Sequence, residues 1–132
     1  MSNKARDLAS LAGLTAAAYT AAQARMGALK RKETELREKL DALAASRQHD
    51  AGEAVFSDPA RRAGADLLWQ RWVDTRRSAL NKELVNNLVA QTRAKTLLTK
   101  EFGRHEAIKG LREQASEKAR AEQLRRAERN GF

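Results

Sequence analysis

The 132-residue sequence has no cysteine, a single proline (Pro59) and seven glycines. The missing cysteines exclude a disulfide framework and thiolate chemistry, and they agree with a reducing compartment without requiring one. So few turn formers in a chain of this length fit one domain, residues 1–132, built from long elements. Aromatic residues make up only 5% of the chain, too few for a thick globular core. Long apolar runs are missing as well. Arg6, Asp7, Gln23 and Arg25 interrupt the alanines of the first 30 residues, so neither a secretory signal nor a membrane span is expected there, and a cytoplasmic location is.

What the chain has is charge and helix formers. One third of its residues are Asp, Glu, Lys or Arg, and the balance is +9 with a pI near 10.5. Such a balance favours contact with acidic surfaces, whether nucleic acid, anionic lipid or protein, and does not choose among them. Together with abundant Ala and Leu it predicts an all-α fold of long exposed helices.

From residue 4 to residue 48 no proline occurs and a heptad fits. Ala5, Ala12, Tyr19, Met26, Glu33 and Leu40 take one seam position, and Leu8, Thr15, Ala22, Leu29, Leu36 and Leu43 take the other. This seam is small at its start and leucine-rich toward Leu36, Leu40 and Leu43, where the grip should be firmer. Opposite it, Glu33 with Arg37 and Glu35 with Lys39 place an acid four residues before a base.

Residues 49–58 break the pattern and form the expected turn region. Asp58 before Pro59 reads as an N-cap followed by proline at the first helical position. A second helix is expected over 59–129, with apolar residues at Trp69, Trp72, Val73, Leu80, Leu84, Leu88, Ala94, Leu98, Phe102, Ile108 and Leu111 drifting between seven- and eleven-residue periods. Gly103 and Gly110 mark where it should bend or fray. With the turn centred near residue 53, antiparallel pairing would oppose positions whose numbers total about 107. The start of helix one would then meet Phe102 and Gly103, and residues 104–132 would overhang by about 40 Å. The expected architecture is an antiparallel coiled-coil hairpin with an overhanging C-terminal helix.

No constellation for catalysis stands out, and no enzyme is expected. His49 and His105 lack a second metal-type ligand at helical spacing, and no phosphate-cradling glycine motif is present. No cofactor is expected. The carboxylates alternate with bases, as on solvated helix faces. Trp69 and Trp72 lie three residues apart on one face, beside Leu68 and near Phe56. Two readings of this group stay open: a plug in the hairpin core, or an exposed anchor for a partner. The basic stretches Lys30, Arg31, Lys32 and Arg125, Arg126 lack any groove-reading motif, so specific nucleic-acid recognition is not expected.

The order of parts resembles the flagellar type III export stalk family, FliJ, and its injectisome counterpart YscO. The likeness rests on an early helix beginning DLASLAGL, a middle break, a W-x-x-W opening to helix two at Trp69 and Trp72, and the tail LREQASEKARAEQLRRAERNGF. It spans nearly the whole chain, with two departures: the alanine-rich first half of helix one and the glycines at 103 and 110. The resemblance implies a non-enzymatic coupling rod peripheral to the inner membrane, attached there only through its partners. These are a hexameric export ATPase, the cytosolic domain of the export gate, and export chaperones. Carried onto this sequence, the gate-facing residues are Phe56, Leu68, Trp69 and Trp72, and the ATPase-facing residues are Arg120, Arg125, Arg126 and Arg129. Two other readings remain: a basic helical protein associated with nucleic acid, and a coiled-coil scaffold that dimerises through its tail.

Overall fold

The computed structural model describes residues 3–52 and 59–131, with side chains described over 3–46 and from 59 onward. They form two helices, α1 (Asn3–Gly52) and α2 (Pro59–Asn130), and no strand occurs among the described residues. α1 continues past residue 48, and α2 opens at Pro59, where a missing amide proton costs nothing. Phe56 and Asp58 lie outside the described residues, as does the side chain of His49. α2 runs through Gly103 and Gly110 without interruption, and neither has a positive φ. The expected fraying is therefore not realised, since about 1 kcal/mol per glycine is small against the cooperative hydrogen bonding of a 72-residue helix.

The chain falls into two compact units, one of residues 27–93 and one of residues 1–26 with 94–132. In the first, Leu36, Leu43, Val73 and Leu80 form the core, and Leu40, Trp69 and Leu84 pack against it. Leu36 and Val73 are fully enclosed, at 0% and 1% exposure, which contributes about 1.5–3 kcal/mol for each side chain removed from water. Beyond the leucines a polar layer takes over. The Asn87 amide donates to the Leu29 carbonyl at 3.0 Å, and the Gln91 amide donates to Glu33 Oε1 and to Asn87 Oδ1, both at 2.7 Å. Residues 36 and 43 of α1 cluster with 73 and 80 of α2, whereas residue 29 meets 87, so partners on α1 fall in number from the leucine core to the polar layer as α2 rises, as an antiparallel pair requires.

The register differs from the expected one. The cross-helix pairs 29/87 and 33/91 bracket a total near 120, not 107. Pairing at 107 would set Leu36 against Arg71 and Leu43 against Gly64; in the observed register those leucines bury against Val73, Leu80 and Leu84, and apolar burial decides it.

In the other unit, Tyr19 of α1 makes an edge contact with Phe102 (5.5 Å between ring centres) and stacks on His105 (5.7 Å). Ala22, Ala94 and Glu101 are buried here. Phe102 accordingly meets Tyr19 and not the start of α1. The stretch from residue 104 also begins with a partner, since His105 lies on Tyr19, and Ile108 and Ala115 are half-buried.

The buried face of α2 keeps a strict seven-residue period through Val73, Leu80, Asn87, Ala94, Glu101 and Ile108, with Leu84, Gln91, Leu98 and His105 four residues after Leu80, Asn87, Ala94 and Glu101 in turn. The expected drift toward eleven came from counting Trp72, Leu88, Phe102 and Leu111, which are all exposed.

Candidate interaction surfaces

The early turns of α2 present an aromatic and aliphatic surface. Because Trp69 and Trp72 are one helical turn apart, their rings stack with centres 5.0 Å apart and planes 22° from parallel. Their surroundings differ. Trp69 packs on the leucine core, and its Nε1 is buried with no hydrogen-bond partner among the described residues. Trp72 is 53% exposed, one turn from the two-thirds-exposed Leu68, and Leu67 next to it in sequence is half-exposed. An indole held by its neighbour, with open leucines alongside, has the composition of an interface anchor. Of the four residues read as gate-facing, Leu68 and Trp72 face solvent, Trp69 is divided between core and surface, and Phe56 is outside the described residues.

Farther along α1 the surface is ionic. Glu33, placed by the heptad at a seam position and by its spacing to Arg37 on the opposite face, is half-buried at the seam's edge. It bonds Gln91 across the seam and pairs with Arg37 on its own helix at 2.7 Å. The Gln91 hydrogen bond first, and the Arg37 bond second, hold its carboxyl below the ordinary carboxylate range. Glu35 pairs with Lys39 at 3.0 Å and Lys32 at 3.6 Å, and its carboxyl is lowered too, chiefly by the Lys39 hydrogen bond. Asn87 and Gln91 escaped the reading of the sequence. The signal that finds them is their distance of seven residues from Leu80 and Leu84.

In the other unit, α2 lines an open groove of about 560 Å³ with His105, Lys109, Arg112, Glu113, Ser116, Glu117 and Arg120, and Ala12 of α1 borders it. Arg120 reaches Ser116 Oγ at 3.5 Å, a long contact. His105 Nδ1 is buried without a hydrogen-bond partner among the described residues. Arg125, Arg126 and Arg129 are exposed and form no ion pair among the described residues. Past Ser116 every described residue except Ala121 is exposed. The structure thus brings Arg120 into a mixed-charge groove and leaves the other three arginines in solvent.

Among the described residues no group of three His, Asp or Glu stands close enough to hold a metal ion. No described helix is long and apolar enough to cross a membrane. Comparison with protein-family models, with curated proteins and with solved structures returns no match.

Proposed function

We propose that the chain is a non-enzymatic stalk of a flagellar-type export apparatus, an antiparallel coiled-coil hairpin that links a hexameric export ATPase to the cytosolic domain of the export gate. Export chaperones are its further partners, and it works in the cytoplasm at the inner membrane. The observation that carries this reading is that each unit bears a surface of a different kind: Leu67, Leu68 and Trp72 in one, and in the other Arg125, Arg126 and Arg129, which form no ion pair among the described residues. An apolar anchor suits a gate domain, and a basic, uncovered helix end suits acidic loops in a ring pore by long-range attraction. The exposed tail from Glu117 onward is the part of α2 that such a pore would cover.

The chain also exposes 10438 Å² at 14.7 kDa, against roughly 6,900 Å² for a compact monomer of that mass. A molecule with so little buried surface gains most from partners.

The test is a pull-down of purified export ATPase and gate domain by the intact chain, a version lacking residues 113–132, and Trp72→Ala. Trp72 is the clean position, because substitution at Trp69 also opens the core. The expected result is loss of the ATPase with the truncated chain and loss of the gate domain with Trp72→Ala. Failure to retain either partner, with retention of nucleic acid that falls steeply as salt rises, sinks the reading in favour of a nucleic-acid-associated protein.

A further inference from the structure

In a chain one third charged, the seventeen residues of α1 between Asp7 and Arg25 carry no charge. Their inward positions, Leu8 to Ala22, are taken by the seam; of their outward ones Leu14 is 68% and Leu11 43% exposed, Ala21 is exposed and Ala18 is half-buried. One residue out of step with the seam runs a second stripe: Asp7, Leu11, Leu14, Ala18, Ala21 and Arg25, alternating steps of four and three. That spacing keeps all six on one side of the helix.

The stripe is complementary to itself when reversed. Turned end for end about Ala16, it sets Asp7 against Arg25, Leu11 against Ala21, and Leu14 against Ala18. Each large side chain meets a small one, and each end joins opposite charges. Neither Asp7 nor Arg25 belongs to an ion pair among the described residues.

We propose that this stripe is a self-association surface on which two copies of the chain pair α1 against α1, antiparallel, about a two-fold axis that crosses the stripe between Leu14 and Ala18, at the height of Ala16. A two-fold contact uses the same patch on both copies, which a stripe of reversed complementarity satisfies. Two chains of net charge +9 repel, and here they can approach without like charges in contact. A lipid surface would reward Leu11 and Leu14 but would not use the placement of Asp7 opposite Arg25, and the alanine half offers it little. The surface goes beyond the stalk reading and does not depend on it.

The stripe is about 27 Å long and offers four apolar side chains per copy, below a standard interface. The dimer is therefore weak, with a dissociation constant on the order of 10–100 µM.

Sedimentation equilibrium of the full chain, from about 5 µM to about 1 mM, reads this range. The apparent mass should rise from 14.7 kDa toward twice that value. Leu14→Glu, at an open position, should keep its helix signal and weaken association at least about tenfold. Asp7→Arg and Arg25→Asp should each associate less than the native chain, and an equimolar mixture of the two should recover, because mixing restores both end pairs. A chain monomeric throughout, a dimer indifferent to Leu14→Glu, or single reversals that fail to rescue each other would overturn the proposal. So would retention on anionic vesicles that Leu14→Glu abolishes while the chain stays monomeric, which assigns the stripe to lipid.

Discussion

The two units solve the same geometric problem with different materials. Both place residues of α1 and α2 on seven-residue repeats, yet one fills its seam with Leu36, Leu43, Val73 and Leu80, and the other with Ala22, Ala94, a buried carboxylate, Tyr19 and His105, with the half-exposed Phe102 at its edge. Aliphatic burial scales with area, so the leucine seam holds by the amount of surface it removes from water. The other unit adds the contacts of Tyr19 with His105 in the seam and with Phe102 at its edge, each contributing about 0.5–1.5 kcal/mol beyond area. A period fixes where side chains go and leaves open how strongly they bind there.

The contrast is tested most severely at Leu36. Leu36→Ala should lower stability by about 2–5 kcal/mol, read by urea unfolding followed through helix content, because a fully enclosed leucine leaves a cavity. A loss under about 1 kcal/mol would mean that the leucine seam is not the stronger one. Tyr19→Ala in the other unit should cost less, about 1–2 kcal/mol, since it removes two ring contacts, one of them to the half-exposed Phe102. If it costs as much as Leu36→Ala, the ranking of the units is reversed.

Gly103→Ala and Gly110→Ala sharpen the comparison by strengthening the weaker unit. Both positions are helical, and an added Cβ meets nothing within 4 Å at either. Each should stabilise by about 0.5–1 kcal/mol, with a raised midpoint and an unchanged denaturant slope.

The smallest effect is on pH. The carboxyls of Glu33 and Glu35 are both held below the ordinary glutamate value of 4.5 in the folded chain. Their contribution is therefore present above about pH 4.5 and is lost as pH falls through the lowered folded values. The unfolding midpoint should be flat near neutrality and decline below about pH 4.5, less steeply in Glu33→Gln and in high salt. A decline unchanged by that substitution would place the titrating group elsewhere.

Much of this architecture can be read from the residues. The seam of α1 is legible because Leu8 through Leu43 carry apolar or small residues at nearly every inward position, and Ala5 alone of those read proves exposed. The seam of α2 misleads for a physical reason: Asn87, Gln91, Glu101 and His105 occupy it, and a count of apolar residues passes over them for Leu88, Phe102 and Leu111. The first two are tolerated because each finds a hydrogen-bond partner across or along the seam, and Glu101 is met by Arg104 at 3.3 Å. The register was missed with them, since it was set from the turn and not from which leucines could bury together. At the surfaces, one face for Trp69 and Trp72 follows from their spacing. That the first would be claimed by the core and the second left open depends on cross-helix contacts no single-helix pattern contains.

The chromophores are divided between the units. Both tryptophans lie in the leucine unit, stacked on each other, and the single tyrosine lies against Phe102 and His105 in the other. Indole emission and the near-ultraviolet circular dichroism of the stacked pair report on one unit, and phenol absorbance reports on the other. An unlabelled chain heated or titrated with denaturant thus yields two separate melting curves, and their separation along the axis measures how far the two seams unfold as one.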